Sequence, residues 1–179
     1  MTENPQENYI SKTMEEIENQ IREDEKLARW LVQTDVDQIV PRLYLCSDSA
    51  ATNKEVIDFK HITHIINVTF NIPNVFEPLI VYQNIVVKDL EDENLSEHFS
   101  STYEFIEKAL NENASNNVLV HCNAGISRSA SIVISYLLQK RKFANYKDAY
   151  AYVKARRPII YPNEGFVQQL IALENKLNA

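Results

Sequence analysis

Val118-Leu119-Val120-His121-Cys122-Asn123-Ala124-Gly125-Ile126-Ser127-Arg128-Ser129-Ala130 changes character twice within thirteen residues. It opens as an unbroken apolar run, the pattern of a central strand covered on both faces. It closes into a segment where Ala130, Ile132, Val133, Ile134, Tyr136, Leu137 and Leu138 leave little polar surface. A helix of that composition is buried, which holds its amino end rigidly. Between the two lies a loop with a cysteine at one end and an arginine at the other. A strand-to-helix turn gathers backbone N–H groups into one concavity, and the helix dipole adds partial positive charge. Gly125 permits the tight curl. Arg128 offers a planar fork of donors that matches two oxygens of a phosphate. Amide donors and a guanidinium near Cys122 favour its thiolate, the nucleophilic form. The loop is built to bind a phosphate dianion and attack its phosphorus with sulfur. It lacks the Lys-Ser/Thr pair and the glycines of a nucleotide-binding Walker loop.

Outward from this loop, short β-branched runs alternate with helical ones. Ile39 to Leu45, His61 to Thr69, Leu79 to Val87 and Asn117 to His121 read as strands. Ala50 to Phe59, Glu97 to Asn111, Ser129 to Arg141, Tyr146 to Ala155 and Asn163 to Lys176 read as helices. That order predicts an α/β domain with a central, partly parallel sheet of four to five strands flanked by helices. Ahead of it, Ile10, Met14, Ile17, Ile21, Ala28 and Leu31 recur at helical spacing, which predicts a helix over Asn8 to Val32. Residues 1–34 thus read as a helical extension and 35–179 as the catalytic domain. The extension's apolar stripe leaves two uses open, packing on the domain or meeting a partner.

With 179 residues, 45% hydrophobic and 24% charged, the chain has room for one well-buried domain, and the composition excludes wholesale disorder. A net charge of −7 argues against a general nucleic-acid binder. The acidic segment from Met1 to Gln20 carries no leader pattern, and no run of apolar residues is long enough to span a membrane. Two cysteines cannot form a disulfide framework, so the expected compartment is cytoplasmic or nuclear. Cys46 reads as an inert core thiol or as a redox partner of Cys122. Lys140 to Arg157 holds seven bases against Asp148 alone, a local positive field suited to an anionic group or simply a solvated helix face. The triplets starting at Asn67, Asn94 and Asn113 read as chance matches to a glycosylation site. Only two glycines occur where average usage of about 7% would give roughly a dozen, so Gly125 marks a backbone need.

The run His121-Cys122-(five residues)-Arg128-Ser129 resembles the signature of cysteine-dependent protein phosphatases, and Val118 to Ala130 as a whole resembles their dual-specificity branch. Supporting matches are Ile39-Val40-Pro41-Arg42-Leu43-Tyr44-Leu45, Thr63-His64-Ile65-Ile66-Asn67-Val68, and Arg156-Arg157-Pro158 leading to Pro162-Asn163-Glu164-Gly165-Phe166. The similarity runs from about Gln38 to Leu177 and is nearest to small atypical members of the stress-kinase-pathway type. It implies hydrolysis of phosphotyrosine and phosphoserine/threonine on proteins through a cysteinyl-phosphate, without a cofactor or metal. It assigns Cys122 as nucleophile, Arg128 and the Asn123, Ala124, Gly125, Ile126 and Ser127 backbone as phosphate cradle, and a general acid some thirty residues upstream. Asp89, 33 positions before Cys122 in Val86-Val87-Lys88-Asp89-Leu90, fits that acid, with Asp92 as runner-up. Ser129 is placed to hydrogen-bond the sulfur, to cap the helix, or both. His121 is expected to order the loop and Asn163 to tether a neighbouring one. Arg157 either reaches a second phosphate or an acidic neighbour on the substrate, or forms a surface ion pair. The absence of lysine in the loop favours phosphoprotein over phosphoinositide substrates. MAP-kinase-pathway partners are implied by the resemblance alone. The competing reading is a catalytically weak phosphate-binding module that docks kinases. Retention of Cys122, Arg128, Ser129 and Asp89 disfavours it.

Overall fold

The computed structural model describes residues 35–179 and, ahead of them, residues 14, 16, 17, 19–23 and 26. Those leading positions are all helical, and Met14, Ile17 and Ile21 among them are about half exposed. The other positions of the helix expected over Asn8 to Val32 lie outside the described residues. The chain divides into two compact units, Met1–Thr34 and Asp35–Ala179.

Within the second unit, five strands form one sheet in the order β1-β2-β5-β3-β4. They are β1 (Val36–Val40), β2 (Leu43–Cys46), β3 (His64–Asn67), β4 (Val81–Asn84) and β5 (Val118–His121). All neighbours pair in parallel except β1 with β2. That antiparallel pair corrects the single strand expected over Ile39 to Leu45. Pro41 has no N–H to continue a ladder, and Arg42 takes a left-handed φ of 67°. Arg42 Nη1 holds this turn by donating to the carbonyls of Leu110 and Asn113, at 3.0 and 3.1 Å.

The helix expected over Ala50 to Phe59 is likewise two pieces, α1 (Asp48–Ala51) and α2 (Lys54–Phe59). Asn53 divides them, since its side-chain oxygen accepts from Glu55 N and Val56 N and starts a new helix. The remaining helices are α3 (Phe99–Glu112), α4 (Arg128–Gln139), α5 (Tyr146–Arg156) and α6 (Glu164–Asn178). Helix α4 is buried from Arg128 through Leu138 and packs against α3, α5, α6, β2 and β5. Every side chain of β5 is buried as well. Each fully buried Leu or Ile here contributes on the order of 1.5–3 kcal/mol. The loop between β5 and α4 is therefore anchored at both ends by buried elements of the core. In-register pairing sets Cys46 and Asn67 beside His121, so the loop stands at the carboxyl ends of the parallel strands.

Candidate active site

The carbonyls of the loop are tied down one after another, and all by groups outside it. Asn123 O accepts from Asp48 N at 2.9 Å, and Ile126 O accepts from Tyr161 N at 2.9 Å. Between them, Ala124 O and Gly125 O accept from Arg157 Nη2 and Nε at 3.2 and 2.8 Å. A trans peptide points its C=O and the next N–H in opposite directions. Pinning four successive carbonyls outward therefore turns the N–H groups of Ala124, Gly125, Ile126 and Ser127 inward. The dipole of α4 reinforces the resulting anion cradle. Gly125 makes the curl possible at φ 66°, where a Cβ would lie 2.5 Å from both Arg157 Nη2 and Cys46 O.

Cys122 closes one end of this cradle and is 1% exposed. Ser129 Oγ donates to Cys122 Sγ at 3.1 Å, so Ser129 serves the sulfur. The amino end of α4 has no side-chain cap, so the capping use of Ser129 is not made. Arg128 is buried and oriented by two bonds, Nη1 to Val87 O at 3.2 Å and Nη2 to Asn123 Oδ1 at 2.7 Å. Its Nε is buried without a hydrogen-bond partner. An orphaned charged donor is costly unless an anion meets it. Asp89 Oδ2 stands 3.6 Å from that Nε, beyond hydrogen-bond length. Asp89 Oδ1 accepts from Ser127 Oγ at 2.6 Å and from Asn163 Nδ2 at 2.8 Å. Asn163 also caps α6, its Oδ1 accepting from Phe166 N at 2.9 Å.

His121 is buried behind the cysteine. Burial pushes its imidazole pKa down to about 4, partly offset by its bond to the Cys122 carbonyl. A carbonyl only accepts, so the neutral ring carries its proton on Nδ1, 3.2 Å from Cys122 O. Burial likewise raises the Cys46 thiol well above its ordinary value, with the nearby Arg157 charge opposing the shift. Cys46 therefore stays protonated, and its backbone carbonyl packs against Gly125.

Cys122, Arg128, Ser129, Asp89, Asn163, His121 and the five loop residues are thus brought together. Asp92 forms none of the contacts that hold Asp89. Arg157 requires a correction. It is 2% exposed, and its guanidinium lies behind the loop rather than on the surface or at the mouth. Besides the two loop carbonyls, it donates to Asp35 Oδ1 at 2.7 Å and Asp37 Oδ2 at 2.8 Å. A fork committed to four partners cannot reach a second phosphate. Asp35, Asp37, Asp48 and Tyr161 were missed by sequence reasoning. Their contributions are a distant carboxylate or a main-chain N–H, neither of which leaves a spacing signal. A separate cleft of ≈ 970 Å³, lined by Ile57, Ile62, Phe76 and Ile80, adjoins Thr63 and Asn117, before β3 and β5 begin. It lies at the opposite end of these strands from Cys122.

Residues 43–176 match the family described as the dual specificity phosphatase catalytic domain. The chain is 40% identical over 142 residues to Homo sapiens dual specificity protein phosphatase 1, covering 79% of this chain and 38% of the relative. It is 37% identical over 172 residues to Arabidopsis thaliana dual specificity protein phosphatase 1, covering 94% of this chain and 85% of that protein. The chain spans well under half the length of several animal relatives, between 20% and 38%. Among solved structures, the human tyrosine phosphatase-like serine/threonine/tyrosine-interacting protein superposes with a TM-score of 0.74 at 38% identity. That match covers 80% of this chain and 98% of the other.

Proposed function

The chain belongs to the dual specificity phosphatase family, and on that premise we propose that it hydrolyses phosphotyrosine and phosphoserine/threonine on proteins through a cysteinyl-phosphate. The observation that carries the reading is the Cys122 thiol at one end of a cradle of inward-turned amides, with the Nε of Arg128, buried and free of hydrogen bonds, at the other. In the first step the thiolate of Cys122 bonds to phosphorus while the bond from phosphorus to the substrate oxygen breaks. Asp89, protonated at that moment, gives its proton to the departing oxygen. In the second step water attacks phosphorus and yields its proton to Asp89 as the phosphorus–sulfur bond breaks. Ser129 Oγ, already donating to the sulfur, stabilises the thiolate that leaves. The amides and Arg128 hold the three non-bridging oxygens throughout, where charge grows in the transition state.

A loop without lysine supports phosphoprotein rather than phosphoinositide substrates. Partners in the MAP-kinase pathway and a cytoplasmic or nuclear location belong to the same proposal, the first from family resemblance and the second from two free cysteines.

The test is steady-state hydrolysis of an aryl phosphate and of phosphotyrosine and phosphothreonine peptides by wild type, Cys122→Ser and Asp89→Asn. Turnover abolished in Cys122→Ser and a changed pH–rate profile in Asp89→Asn are expected. A wild-type protein that binds phosphopeptide but turns over none of the three would overturn the catalytic reading.

A further inference from the structure

We propose that the buried Arg157 and the partly exposed Asp35 and Asp37 form a clamp that positions the phosphate-binding loop, with Asp35 tying both of its flanks. The clamp's effect on turnover rests on the phosphatase reading, but its effect on anion binding does not.

A guanidinium taken out of water is costly even when paired, and apolar residues commonly replace such groups without loss of stability. Arg157 is nevertheless 2% exposed, with a carboxylate on each of two nitrogens. What an apolar residue could not do is hold Gly125 O and Ala124 O outward together. Lysine could not do it either, because a single ammonium lacks the planar fork that spans two carbonyls and two carboxylates. Asp35 and Asp37 neutralise the charge and set the orientation of the fork.

The other flank of the loop leads back to the same acid. Ser47 Oγ donates to Asp35 Oδ2, while the next residue, Asp48, donates its N–H to Asn123 O at 2.9 Å. Asp35 therefore meets the loop's first carbonyl through Ser47-Asp48 and its next two through Arg157. The four inward amides depend on these ties and on Tyr161. Arg157 meets the loop at its outward carbonyls and the two acids meet Arg157, so the three act through the loop and are positioning residues.

The test uses the full chain with Arg157→Lys, Asp35→Asn, Asp35→Ala and Asp37→Asn. Tungstate affinity is measured by calorimetry, Cys122 alkylation by iodoacetate against pH, kcat and KM on an aryl phosphate and on phosphopeptides, and folding by near-UV circular dichroism. In folded Arg157→Lys, tungstate affinity and kcat fall by roughly ten- to a hundredfold, the scale of a reacting-group misplacement of about 1 Å. The Cys122 alkylation curve moves to higher pH. Asp35→Asn, which keeps one acceptor for Arg157, loses less than Asp35→Ala. If Arg157→Lys does not fold, Asp37→Asn, which removes the charge facing Nη1 and leaves it a neutral acceptor, carries the same expectation at smaller size. Unchanged tungstate affinity and alkylation in the folded variants overturn the clamp. So does a loss confined to KM on phosphopeptides, which would place Arg157 on the substrate. Wild type that binds tungstate but turns over no aryl phosphate defeats the phosphatase reading while the clamp is still decided by affinity. Wild type that binds no tungstate defeats the clamp.

Discussion

Asn163 Nδ2 donates to Asp89 Oδ1 at 2.8 Å, across 74 residues of chain. The same side chain starts α6 through its Oδ1, so one amide sets both a helix and the proposed acid. These two uses separate on substitution. Asn163→Ala loses the cap, at about 1 kcal/mol, together with the tether. Asn163→Ser keeps cap chemistry but is too short to reach Asp89. The serine variant should therefore unfold near the wild-type midpoint yet turn over an alkyl phosphopeptide several-fold more slowly. A substrate with a good aryl leaving group should be affected less, because it needs the proton less. Denaturant unfolding beside kcat on the two substrates checks both expectations. Equal slowing on both would remove the tether from proton transfer.

Ser129 bears on the second chemical step. In the proposed mechanism its Oγ, 3.1 Å from Cys122 Sγ, lends a proton to the thiolate as it departs from phosphorus. Ser129→Ala should slow hydrolysis of the cysteinyl-phosphate more than its formation. Stopped-flow measurement would then show a burst of product followed by a steady rate lower by roughly a hundred- to a thousandfold, the range of one lost donor to a developing anion. Intact-protein mass spectrometry should find the phosphorylated cysteine accumulated. A uniform fall with no burst would assign Ser129 to the first step.

Gly125 should tolerate no side chain. Its φ of 66° alone costs an L-residue roughly 1–2 kcal/mol. A Cβ would also meet Cys46 O, a backbone atom of β2 that cannot swing away. Gly125→Ala should lower unfolding stability by at least that amount and weaken tungstate binding, since the carbonyls must shift off Arg157. Near-wild-type affinity in equilibrium titration would mean the loop does not depend on this curl.

What the sequence made legible were features carried by neighbouring residues. The apolar run at Val118-Leu119-Val120, the apolar helix after Arg128 and the Cys122-to-Arg128 spacing are contiguous, and the structure assembles them as expected. Two breaks escaped periodicity because a local competitor overrides it. Arg42 closes a turn with carbonyls some seventy positions away, and Asn53 captures two N–H groups that would have continued a helix. Arg157 was misplaced for a different reason. A basic stretch looks alike whether its arginines face solvent or carboxylates, and the deciding partners, Asp35 and Asp37, lie about 120 positions upstream. The back of the loop was illegible because main-chain donors such as Asp48 N and Tyr161 N leave no mark on residue identity.

His121 links this site to acid stability. Burial holds its folded pKa at about 4, below the ordinary 6.5, so between those values the unfolded chain binds a proton that the folded chain does not. Unfolding stability therefore rises with pH across this window; it is complete above about pH 6.5 and lost as pH falls toward 4. The full span corresponds to about 3 kcal/mol from this one residue. His121→Asn supplies an amide donor near Nδ1 for the Cys122 carbonyl but cannot titrate. Urea unfolding at intervals from pH 7 to 4 should give a flatter stability profile for the variant than for wild type. Whatever the offset at pH 7, wild type should lose stability relative to the variant as pH falls toward 4. Parallel curves would mean that His121 takes up its proton as readily in the folded chain as in the unfolded one. Its ring would then have access to water and could not be the neutral buried donor that fixes Cys122 O.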